Sequence, residues 1–134
     1  MKSRFGIRTA LASACFSAYA YAISAQAAAM PERLMCATVE ALDCEPGAAC
    51  FRGRPAEIGA PPFMRIDLAS RTIAGAQRTT PIVSVERNEE SLLLQGTETG
   101  YAWTLVIDTR QGTMAATLVN GEGAFVLFGS CTPM

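Results

Sequence analysis

The chain contains no histidine, and its one lysine, Lys2, stands at the very front. Without histidine there is no Ser-His or Cys-His nucleophile, and the commonest metal ligand is missing. A body without lysine excludes Schiff-base and Ser-Lys chemistry as well. No Cys-x-x-Cys pair occurs, so four-ligand zinc is not expected. Met35, Met64 and Met114 are not joined in a Met-x-x-Met cluster, so core filling is expected of them rather than Cu(I) ligation. Beyond residue 30 no apolar stretch has helical periodicity.

What the front does contain is an export signal. Lys2, Arg4 and Arg8 form a basic start, an uncharged run extends from Thr9 to Met30, and Ala25-Gln26-Ala27 has the small-x-small pattern read by signal peptidase. Two alternatives are less well matched. Ala12-Ser13-Ala14-Cys15 resembles a lipoprotein box, but only six residues separate Arg8 from Cys15 and Leu11 lies one place too early. The run is long enough for a membrane anchor, but Ala and Ser dominate it and it ends in a cleavage site. The expectation is therefore a leader over 1–27, removed to leave a periplasmic or secreted domain over 28–134.

That domain would carry eight basic and twelve acidic residues, a net charge of −4. Such a balance gives no electrostatic footprint for nucleic acid and disfavours anionic membrane surfaces, while a basic partner is tolerated. Its cysteines are Cys36, Cys44, Cys50 and Cys131, an even set in an oxidising compartment. Three pairings exist. The favoured one closes a short loop with Cys44–Cys50 and ties the first strand to the last with Cys36–Cys131, the long ring contributing about 4–5 kcal/mol.

The pattern from residue 63 onward is short strands between turns. Candidates are Leu34–Val39, Phe63–Leu68, Arg71–Ala74, Pro81–Arg87, Ser91–Thr97, Tyr101–Thr109, Thr113–Val119 and Ala124–Ser130. Asn120-Gly121 is a strong hairpin signal. Eight strands in serial order predict a single all-β domain, an antiparallel up-and-down barrel or sandwich with the first strand beside the last. The segment 41–62, rich in Pro and Gly, is expected to be a long stapled loop covering one end or binding a partner.

Few residues are candidates for chemistry. Asp67, Asp108 and Glu98 fall at strand ends or in turns, where acidic residues are ordinary. Ile107-Asp108-Thr109 begins like an aspartic-protease motif, but Arg110 stands in place of the glycine. No enzyme, cofactor or metal is therefore expected. Arg52 and Arg54 form the only close basic pair of the loop, and Trp103 and Tyr101 share one strand face. Those aromatics are expected in the core, since a barrel this small is filled by its own side chains; a small-ligand cavity is the alternative.

Leu94-Gln95-Gly96, Gly100-Tyr101-Ala102-Trp103, Ile107-Asp108-Thr109 and Phe128-Gly129-Ser130-Cys131 together resemble small exported proteobacterial proteins whose activity is uncharacterised. In architecture the chain is also similar to the periplasmic C-type lysozyme inhibitors, eight-stranded barrels with a disulfide joining the two termini. That resemblance implies a loop inserted into a lysozyme cleft, carried here by Thr99, Gly100 and Tyr101, with Thr where the family has Ser. Leu34 stands where the family has a Tyr two residues before its Cys, and the family's basic contact has no counterpart. The function expected is a monomeric, non-enzymatic binding module of the envelope. Its partner would be an envelope or exogenous protein met by Arg52, Arg54, Thr99, Gly100 and Tyr101. A carrier of a small apolar ligand, or a purely structural role, is the alternative. A cavity lined by Trp103 and Tyr101 would favour the carrier; two carboxylates converging in a cleft would favour an enzyme.

Overall fold

The structure, a computed structural model, describes residues 31–134. The leader expectation lies outside the described residues. The strands are β1 (Arg33–Cys44), β2 (Phe51–Gly53), β3 (Phe63–Asp67), β4 (Thr72–Ala74), β5 (Thr79–Pro81), β6 (Ser84–Arg87), β7 (Ser91–Glu98), β8 (Tyr101–Asp108), β9 (Thr113–Val119) and β10 (Ala124–Pro133). A short 3-10 turn, Pro55–Ile58, follows β2.

Nine of these strands form one curled antiparallel sheet in the order β5-β4-β3-β1-β10-β9-β8-β7-β6, and β2 pairs separately with β1. The first and last strands are indeed neighbours, in register from Leu34 opposite Pro133 to Cys44 opposite Ala124. Cys36 and Cys131 face one another in that register and are bonded, as are Cys44 and Cys50. Both expected disulfides are present. Disulfides persist mainly outside the reducing cytosol, and these two point to a non-cytoplasmic location.

The sheet is a half-barrel, and its two edges belong to a single run of chain. β5 pairs with β4, and β6 pairs with β7. Between them, Ile82 donates its N–H to the Arg71 carbonyl and Val83 donates to the Gln95 carbonyl, each at 2.8 Å. The expected single strand Pro81–Arg87 is therefore two strands, because the chain changes partner at Ile82–Val83. Pro81, without an N–H, sits where no ladder donor is needed. This exchange leaves neither sheet edge long and open.

The interior follows the two-residue period of a strand. Leu92 and Leu94 on β7, Trp103, Leu105 and Ile107 on β8, and Met114 and Ala116 on β9 all point inward and are buried. Met64 and Met114 fill core positions as expected, whereas Met35 is half-buried, out of phase with the buried Leu34 and Cys36 of β1. On β1 the phase slips by one residue at Val39, where a bulge lies between Thr38 and Glu40. Gly129 lies opposite Thr38, and a Cβ there would collide with the Ala37 carbonyl oxygen.

The segment 41–62 is more regular than the expected long loop. β1 continues to Cys44, and Phe51–Gly53 folds back to pair with Ala41–Asp43. The loop proper is reduced to the disulfide-closed turn, the 3-10 turn and the approach to β3. Gly47, at φ 76°, makes the reversal inside the disulfide ring.

Candidate functional site

The turns fall at two ends of the sheet. One end gathers the residue 45–62 segment, the β4–β5 turn, the β7–β8 hairpin and the β9–β10 hairpin. A cavity of about 580 Å³ opens there, between the strands and the overlying segment. Met64, Ile73, Leu105, Ala116 and Leu127 form its apolar floor, and Tyr101, Trp103, Leu118 and Phe125 its walls. Ile58, Ala60, Pro61 and Pro62 cover it from above, so the stapled segment does roof one end. The inward side chains form the expected core, Trp103 among them, and leave this space open at one end of the sheet.

The position of the indole has a residue-level origin. Gly96 lies directly opposite Trp103 in the β7–β8 ladder. A Cβ on Gly96 would come within 2.7 Å of the indole Cε2 and 2.9 Å of the Pro81 carbonyl oxygen. The missing side chain lets the indole lie flat across β7, and Ala116 leaves the next position on the facing ladder small. Trp103 is 7% exposed, and its Nε1 has no hydrogen-bond partner among the described residues. Tyr101 packs on Phe125 with ring centroids 5.8 Å apart and planes tilted by 44°.

Among the described residues that line the cavity, the charged ones are Arg78 and Glu98. They meet at its mouth with Nη1 and Oε1 3.5 Å apart. Thr99 and Gly100 form the two-residue β7–β8 turn, at φ 45° and 86°. Positive φ at both positions is the hairpin geometry that matches strand twist, easy for Gly100 and strained for a β-branched Thr99.

The loop arginines do not form a free basic pair. Arg52 contacts Glu40 at 3.3 Å, and Arg54 contacts Glu57 at 2.9 Å. The backbone N–H of Arg54 also donates to Glu57 Oε2 at 2.8 Å. That bond first, and the Arg54 side chain second, hold the Glu57 carboxyl below the usual carboxylate range.

Asp67 and Asp108 lie at the opposite end and serve their own turns. Asp108 accepts from the backbone N–H groups of Arg110 and Gln111, both at 2.8 Å. Asp67 accepts from the Ser70 N–H at 3.0 Å and from Arg33 at 3.1 Å. Backbone donation, from Gln111 and Arg110 to the one and from Ser70 to the other, is the main cause holding both carboxyls below their ordinary range. No group of three or more metal-ligating side chains gathers among the described residues. No helix among them is long and apolar enough to cross a membrane.

Of the candidates named from sequence, Thr99 and Tyr101 line the cavity, Gly100 lies between them in the turn, and Arg52 and Arg54 are outside it. Phe125, Gly96 and Arg78 were not among those candidates. Phe125 could have been found from its phase with Leu127, two residues on; nothing local marks Arg78. Comparison with family models, curated proteins and solved structures returned no match.

Proposed function

We propose that the domain binds a small apolar ligand in the mouth of the half-barrel, as an exported carrier. One observation carries this reading: an apolar cavity of about 580 Å³ lined by Trp103, Tyr101 and Phe125. Its size falls in the range of roughly 300–1,000 Å³ typical of small-molecule sites, which are mostly apolar with few polar groups. A lone Arg–Glu pair at the rim supports recognition better than catalysis. Removal of the leader after Ala27, release into the periplasm or medium, and a monomeric state complete the proposal. Loop-mediated partner binding is the weaker reading, since Arg52 and Arg54 each face their own carboxylate.

Trp103 is the only tryptophan in the chain, so its emission reports on the cavity alone. Titration with neutral phenylnaphthylamine should give saturable energy transfer from Trp103. Ala116→Leu, which puts three carbons into the floor, should weaken that binding at least several-fold. Absence of saturable transfer, or equal binding by the Ala116→Leu variant, would contradict the proposal.

A further inference from the structure

We infer that the ligand is amphipathic, a single alkyl chain ending in a carboxylate, with the chain in the cavity and the carboxylate on Arg78. This inference rests on the proposed cavity reading and adds its chemical class. The lining is mostly aliphatic and aromatic, with Thr80 and the Trp103 indole N–H as buried polar groups, whereas the mouth holds one cation and one anion, Arg78 and Glu98. A ligand therefore meets apolar surface along its length and charge at one end.

The two rim charges are not equivalent. The Arg78 backbone is fixed, since its carbonyl accepts the Gly75 N–H at 2.9 Å and Thr79 pairs with Ala74 directly after it. Its side chain remains 59% exposed. A guanidinium presents five N–H donors, and the contact to Glu98 at 3.5 Å is too long to count as a hydrogen bond. Arg78 is thus a planar fork at the rim with its donors largely unspent. A carboxylate matches that fork with two parallel bonds, which an ammonium or hydroxyl cannot do. Glu98, 26% exposed at the end of β7, is the internal competitor that holds the guanidinium over the mouth until a ligand carboxylate displaces it.

Displacement of phenylnaphthylamine by dodecanoate, dodecanol and dodecylammonium tests the inference. Dodecanoate should compete about tenfold more strongly than dodecanol, as expected of a charge-assisted bond near the surface. Arg78→Gln should bring dodecanoate down to the affinity of dodecanol. Glu98→Gln should widen the preference for dodecanoate several-fold, because the competitor and its repulsion are gone. Equal competition by dodecanoate and dodecanol, stronger competition by dodecylammonium, or an Arg78→Gln variant with its preference intact would overturn the head-group assignment. Each of those outcomes leaves the apolar cavity as a site. Failure of phenylnaphthylamine itself to bind, with Trp103 emission unmoved by dodecanoate, would instead remove the cavity reading and this inference with it.

Discussion

Gly96 and Trp103 show how one missing side chain shapes the site. Cross-strand pairs are the unit of sheet stabilisation, and here an indole covers the backbone of its glycine partner. Gly96→Ala should therefore destabilise by about 1–3 kcal/mol through overpacking, and shift Trp103 emission as the ring is pushed toward the mouth. Urea unfolding followed by that emission reads both effects; a neutral substitution with an unmoved spectrum would contradict the packing described. At the far end, Asp67 and Asp108 have carboxyls held below their ordinary range. Their stabilisation is present above the ordinary carboxylate pKa and is lost as pH falls through the lower folded values. Asp108→Asn should flatten part of the acid limb of a stability–pH profile, measured by urea midpoint; an unchanged limb would show that the turn does not depend on the charge. The inward aromatics of β8 were legible in sequence because alternation marks Tyr101, Trp103, Leu105 and Ile107 as one face. Arg78 was not, since its importance comes from a neighbour brought beside it by the fold, Glu98, twenty residues away.

At the level of elements, most strands were readable because turn residues bracket them. Thr113–Val119 matches β9 in full, and β3, β4, β7 and β8 differ from expectation only by residues at their ends. β2 was not readable, because three residues are too few to display a period, and β10 runs past Ser130 through Cys131 because β1 continues beside it. The break between β5 and β6 was hidden for a tertiary reason: Val83 and Val85 alternate with Ser84 and Glu86 as in one strand, while the hydrogen-bonding partner changes at Ile82–Val83, burying Ile82 and exposing Val83. The two disulfides should differ in energetic weight. The Cys36–Cys131 bond spans a separation of 95 and the Cys44–Cys50 bond a separation of 6. In the chain-entropy model, replacing the first pair by alanines should cost about 4–5 kcal/mol and replacing the second about 2 kcal/mol. Urea midpoints of the two double variants check the ranking, and equal losses would contradict it.

For the whole molecule, serial strand order dictates that β1 and β10 meet, and their disulfide fixes the meeting. The run 79–87 then links the two sheet edges, so the curvature of the half-barrel is held from both sides. Such a scaffold leaves its freedom at the ends, where loops can form a site without disturbing the core. Cavities cannot be read from periodicity: alternation states which side chains point inward, but not whether their volumes fill the space between them. That is why Trp103, buried in the core as its phase implies, could not be read from sequence as also bordering a cavity together with the half-buried Tyr101.

The central claim is that a ligand enters the interior rather than adhering to the outer face, where Val39, Phe63 and Phe128 are exposed. Heteronuclear NMR with a titrated apolar probe separates the two. The chain has one tryptophan and hence a single indole N–H resonance. On ligand addition that resonance should shift together with the backbone amides of Tyr101, Leu118 and Phe125, while those of Ser70, Arg110 and Gln111 at the opposite end stay in place. Shifts confined to Val39, Phe63 and Phe128, with the indole unmoved, would contradict the account.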